Sequence, residues 1–199
     1  MKNLFLFNIF VFLFITLFCS LGTWQLYRLQ WKQNLISEIS EGLKSRPIPY
    51  SQNIKKNYQK VILVGEYNFK NQIYLYSLNS KGQPGFDVIT PFQTAKRENV
   101  LVNRGWIKKE LKNDPEIDHS KKNITGMLRK ASRKNIFTPD NDIKENIWFS
   151  INLEDVRKIT DKNFNKFIVY LEDKNINAPK PKKITVDVPN NHLKYAITW

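Results

Sequence analysis

No charged side chain stands between Lys2 and Arg28, and residues 4–26 are almost wholly apolar, with Leu4, Phe5, Leu6, Phe7, Ile9, Phe10, Val11, Phe12, Leu13, Phe14 and Ile15 in close succession. At 1.5 Å rise per residue, this stretch exceeds the roughly 20 residues needed to cross a hydrocarbon core of about 30 Å. Lipid offers no partner to backbone N–H and C=O groups, so the run has to be helical despite its many phenylalanines. A cleaved signal peptide has an apolar core of about 7–15 residues and a small-x-small cleavage site. Here the core is longer, and Ser20-Leu21-Gly22-Thr23-Trp24 contains no A-x-A. A lipid-modified Cys19 would want small residues before it, where Leu17-Phe18 stand. The chain therefore reads as tethered by an uncleaved anchor, and nearly everything after it as a water-facing folded domain.

Gln25 to Lys44 keeps a helical spacing of apolar residues (Leu26, Leu29, Leu35, Ile36, Ile39, Leu43), which extends the membrane helix into water. Pro47 and Pro49 end it, because a proline pushes the residue before it out of the helical region. Trp24, Tyr27 and Trp31 fit an interfacial aromatic belt. From there the period becomes two. Residues 61–67, 73–78, 86–92, 99–107, 123–128, 147–150 and 166–171 are rich in β-branched and aromatic side chains and predict seven strands. Asn79-Ser80-Lys81-Gly82-Gln83-Pro84-Gly85 predicts a turn, residues 152–159 predict a short helix capped by Asn152, and residues 108–123 form a charged connection. The expected organisation is an anchor and its extension over 1–45, a domain over 46–190, and the start of a further membrane helix over 191–199. The expected fold class is α+β, a β-dominated extracytoplasmic domain shaped as a small barrel or sandwich and tethered by an N-terminal transmembrane helix.

Beyond Lys2 the chain carries 31 basic against 18 acidic residues. Only seven of the basic residues are arginines, and no arginine stripe or stacking platform accompanies them, which argues against nucleic acid. Attraction to anionic head groups is consistent with the excess. Zinc wants about four convergent ligands, whereas the chain offers His119, His192 and an anchor cysteine. His119 beside Asp118 reads as a solvated histidine, with nothing to organise a catalytic triad. Neither a G-x-G-x-x-G nor a Walker loop is present. Asp140/Asp142 and Glu154/Asp155 read as a turn after Pro139 and a helix start, so no enzymatic constellation emerges.

Several segments stand in a fixed order: Leu21-Gly22-Thr23-Trp24-Gln25-Leu26-Tyr27-Arg28-Leu29, Val64-Gly65-Glu66-Tyr67, Gly85-Phe86-Asp87-Val88-Ile89-Thr90-Pro91-Phe92 and Val100-Leu101-Val102-Asn103-Arg104-Gly105-Trp106-Ile107. Gly126-Met127-Leu128-Arg129, Phe137-Thr138-Pro139-Asp140-Asn141-Asp142, Trp148-Phe149 and Asn190-Asn191-His192-Leu193-Lys194-Tyr195-Ala196-Ile197-Thr198-Trp199 come after them. The ordered set resembles the surfeit-locus cytochrome oxidase assembly family from about Leu21 to Trp199. The resemblance implies two membrane helices flanking a domain on the periplasmic or intermembrane-space side of a bacterial or mitochondrial inner membrane. The second would continue from the final segment, of which residues 191–199 are the start. The function implied is maturation of haem-copper cytochrome c oxidase by holding haem a for oxidase subunit one, with haem a synthesis enzymes as further partners. The alternative is a tethered protein-interaction module that stabilises an oxidase assembly intermediate without haem.

The family's haem-linked histidine falls on His192. Imidazole is a suitable axial ligand for haem iron, and the residues after His192 form an apolar aromatic stretch. From the residues alone, His192 reads equally as an interfacial side chain capping a helix. Trp24, Gln25 and Arg28 fall at helical spacing near the membrane boundary and, with Tyr195, are candidates to line the same pocket. Their other reading is a belt tryptophan and an arginine reaching head groups. Arg104 is either a partner or propionate contact with Trp106 at the rim, or part of a strand end where Gly105 supplies permissive dihedrals and Trp106 packs in the core.

Overall fold

The computed structural model describes residues 2–112, 123–131, 134–173 and 179–199. His119 and most of the charged connection expected over 108–123 lie outside the described residues. The chain divides into two compact units, residues 1–41 with 185–199, and residues 42–184.

α1 (Lys2–Lys44), all but its last three residues in the first unit, runs unbroken from the apolar anchor through its polar extension, a length of about 65 Å at the helical rise. It is long and apolar enough to cross a membrane. Thr16, Ser20 and Thr23 each donate their hydroxyl to the carbonyl four residues back (2.8 Å each), which satisfies them inside an otherwise apolar helix. On the extension Leu29, Leu35, Ile36, Ile39 and Leu43 are buried or half-buried as their spacing predicts, while Leu26 is 51% exposed. The helix stops at Lys44, where Ser45 turns back on the Gly42 carbonyl through its N–H and its hydroxyl. A short helix, α3 (His192–Thr198), belongs to the same unit.

The second unit is one mixed sheet of seven strands: β1 (Ile48–Pro49), β2 (Lys60–Tyr67), β3 (Ile73–Leu78), β4 (Pro84–Thr94), β5 (Asn99–Lys108), β6 (Asn123–Lys130) and β7 (Phe167–Leu171). Their order is β1-β2-β6-β7-β5-β4-β3, and β2 also pairs with β4. That extra pairing curls the sheet back on itself through Gly65↔Thr94, Glu66↔Gln93 and Tyr67↔Phe92 only. The result is a β-dominated α+β domain with partial closure, not a regular barrel, and a single sheet in place of two packed ones. Gly65 stands at the crossover: a Cβ there would lie 2.0 Å from the Gln93 carbonyl oxygen, so only glycine lets β2 leave β6 and approach β4 this closely.

Strand alternation sorts the core. Val100 and Val102 of β5 join Phe167, Val169 and Leu171 of β7 with Val61, Leu63 and Phe92 on one face. Leu101 and Ile168 face the other way, against Val156 of α2 (Leu153–Thr160), with Trp148. β4 and β5 are buried almost end to end, which is why they read as continuous apolar runs. Asn152 caps α2 by accepting from Glu154 N, as expected.

One predicted strand is absent. Residues 147–150 make only isolated bridges, Leu75↔Trp148 and Asp142↔Ile147. The amides of Phe149 and Ser150 donate to the Asn141 side-chain oxygen (2.9 and 3.2 Å) in place of a neighbouring strand. A side chain has taken the bonds a ladder needs. β1 is an addition to the expected set: after the helix stop, Ile48–Pro49 lies parallel to Val61–Ile62 as an edge, where proline is tolerated.

Candidate functional site

In the unit formed by α1 and α3, His192 opens α3 and its Nδ1 lies 2.7 Å from Gln25 Oε1 on α1. An amide oxygen only accepts, so Nδ1 is the nitrogen that carries the proton in this pairing, and the neutral ring then has its lone pair at Nε2. The two helices meet again at two further points. The ideal Cβ position at Gly22 is 3.6 Å from the Ala196 carbonyl oxygen, and the Phe18 ring stacks on Trp199 at 6.2 Å and 17°. Phe10, Phe14 and Phe18 continue this as an aromatic ladder along α1, with centroids 4.5 and 5.9 Å apart. His192 is half-buried, so its ring is fixed yet reachable.

The other candidates near the boundary are placed separately. Arg28 stacks its guanidinium on Trp31 at 4.4 Å. Trp24 is 53% exposed and shares a shallow groove on α1 with Thr16, Cys19, Ser20, Thr23 and Tyr27. Tyr195 is 50% exposed on α3. Of the residues predicted for the pocket, Gln25 and His192 share a hydrogen bond.

In the sheet unit, Arg104 lies in the interior of β5, not at a strand end. The register with β4 slips at Val88/Ile89, where Val88 opposes Gly105 and Ile89 opposes Asn103, so Arg104 is the extra residue of a bulge. It is 2% exposed. Its Nη1 donates to Gln72 Oε1 (3.3 Å), and the guanidinium packs 5.2 Å from the ring centres of Tyr67 and Phe69. Gln72 also accepts from Thr90 Oγ1 (3.0 Å) and donates to the Tyr74 hydroxyl (3.0 Å). Arg104 is thus a buried cation in a polar and aromatic nest.

Gly105 comes next with φ +131°, and a Cβ there would stand 2.3 Å from the carbonyl of Lys180. The space is filled by a returning segment. Trp106 and Lys180 exchange two backbone hydrogen bonds (2.8 and 2.9 Å), and Lys182 Nζ reaches both oxygens of the buried Asp87 carboxylate (2.8 and 2.9 Å). Asn103 Nδ2 donates to the same carboxylate at 3.2 Å, Lys182 Nζ donates to Ser77 Oγ, and Trp106 Nε1 donates to the Ser77 carbonyl. Trp106 is half-buried over Gly85. The Asp87–Lys182 clamp has no local signature: Asp87 lies in a named motif, but Lys180-Pro181-Lys182-Lys183 reads as a solvated linker.

A membrane-anchoring helix, a small α3 bearing a histidine pinned to it, and a curled mixed sheet with an arginine bulge describe a membrane-tethered β-domain protein; among the described residues no group of three or more His, Cys, Asp or Glu gathers as a metal site would. The sequence matches the model of the SURF1 family over residues 12–199, and the chain belongs to that family. It is 31% identical to a SURF1-like protein of Rickettsia conorii over 203 residues, covering 96% of this chain and 84% of that one. Surfeit locus protein 1 of Gallus gallus is 29% identical, covering 93% and 67% respectively. The protein of the same name from Homo sapiens is 27% identical, covering 90% and 68%.

Proposed function

We propose that this protein is a non-enzymatic assembly factor for haem-copper cytochrome c oxidase, which holds haem a through His192 and presents it to oxidase subunit one. The observation that carries the reading is the Gln25–His192 pair. Gln25 accepts the Nδ1 proton at 2.7 Å, which fixes ring orientation and tautomer and leaves Nε2 to ligate iron. Phe18 and Trp199 supply an apolar aromatic surface in the same unit, suited to a hydrophobic porphyrin. Haem a is here a cargo whose iron takes imidazole as an axial ligand. The family and the apolar anchor support a site on the periplasmic or intermembrane-space side of an inner membrane, where haem a synthesis enzymes would supply the group. Trp24, Arg28 and Tyr195 would complete the lining. Arg104, engaged inside the sheet unit, supports the fold in this reading.

The test is purification in detergent from cells that make haem a. The wild-type chain should carry haem visible in its Soret absorbance, and His192→Ala should lose it. Gln25→Ala should weaken retention by about tenfold, the usual cost of removing a partner that orients a ligand. Absence of haem from the wild type, or equal haem on His192→Ala, would overturn the proposal.

A further inference from the structure

The two most exposed large apolar side chains among the described residues are neighbours: Ile136 at 91% and Phe137 at 87%. Single exposed hydrophobics are ordinary. This pair is different because the turn beneath it is tied shut. Asn135 Oδ1 accepts from Phe137 N and from Thr138 Oγ1, both at 2.9 Å. Thr138 Oγ1 accepts in turn from Asn135 N (3.2 Å), and Thr138 N donates to the Asn135 carbonyl (3.1 Å). Pro139 stiffens the exit, and Lys134 pairs with Asp140 across the neck. The polar residues at the base satisfy one another, and the two between them are held out in water.

We propose that Ile136 and Phe137 form a wedge that dips into the head-group boundary of an anionic bilayer. Three observations select a lipid surface. The anchor α1 keeps the chain on a membrane, so the bilayer acts at a high effective concentration and a small apolar tip suffices. The charge is complementary: residues 42–184 hold 28 basic against 15 acidic residues, with Arg129, Lys130, Arg133 and Lys134 just before the tip. Of the acids beyond it, Asp140 is paired with Lys134, which holds its carboxyl below the usual range, and Asp142 accepts from Glu145 N. Finally, a protein partner would want an apolar patch of interface size around its anchor residues. Here the neighbouring side chains of Lys134 and Asp140 are exposed charges. The inference does not depend on haem.

The test uses the full chain reconstituted into phosphatidylcholine vesicles containing a minority of phosphatidylglycerol. A nitroxide is placed at Phe137→Cys in a Cys19→Ser background. Ser80→Cys and Lys96→Cys, both exposed, serve as water-side references, and native Cys19 serves as the reference within the anchor. Collision with oxygen relative to a water-soluble nickel chelate reports depth. The ratio at 137 should shift from the value at 80 and 96 towards that at Cys19. A ratio equal to the water-side references would overturn the wedge and leave the pair to a protein partner. The double variant Ile136→Ser/Phe137→Ser should keep the wild-type unfolding temperature; a clear drop would show that the pair packs inward and would also overturn the proposal.

Discussion

Tyr50 carries its phenol into the core with 6% exposure, beside Glu98, and no hydrogen-bond partner meets its hydroxyl among the described residues. Burial first, and the Glu98 carboxylate second, push its pKa up to about 12. The folded state therefore holds the phenol proton more tightly than the unfolded chain does, where it leaves near the ordinary value of about 10. Stability from this group is intact below pH 10 and lost as the pH rises from 10 to 12, by on the order of 2 kcal/mol. Urea midpoints measured across that window should fall for wild type and fall less for Tyr50→Phe. Single residues are also where the sequence is hardest to read. His192 and Gln25 both stand near a membrane boundary, but 167 positions separate them, and only the packing of α3 on α1 brings them to 2.7 Å. Asp87 and Lys182 are invisible as a pair in the sequence for the same reason.

Elements are legible wherever local preference and burial agree. The spans of β2 to β5, β7 and α2 lie within a few residues of the positions their apolar periodicity predicts. The failures have a common cause, which is a bond made by a distant group. Asn141 takes the amides of residues 149–150, and the segment at Lys180 takes the β5 edge freed beyond the Arg104 bulge. Gly105 shows what that edge demands. Gly105→Ala forces a side chain into φ +131° and against the Lys180 carbonyl, and should cost about 2–4 kcal/mol. Gly82→Ala, at φ +75° with nothing within 4 Å, should cost only about 1 kcal/mol. Chemical denaturation of the two variants checks the contrast. Protease cleavage within 179–184 should rise for Gly105→Ala and stay unchanged for Gly82→Ala.

For the whole molecule, each unit has its own source of cohesion. The sheet unit keeps its apolar clusters within residues 42–184. A fragment of those residues should fold without α1 and unfold in one cooperative transition in urea; a gradual, sloping loss of signal would refute it. That the chain has a membrane part and a β-rich part is plain from the change of period and the uncharged run. Partial closure of the sheet is not, because it rests on three residue pairs and on Gly65, none of which has a local signature.

The returning segment also has a mechanical meaning. Residues 183–191 separate the strap at Lys180–Lys182 from His192. A pull on α3 travels down this tether to the two Trp106–Lys180 backbone bonds and the Asp87–Lys182 pair. The load then enters β5 at Trp106, which pairs with Asp87 of β4 on its other side. The domain meets tension with a mooring of two backbone bonds and one ion pair on the buried Asp87.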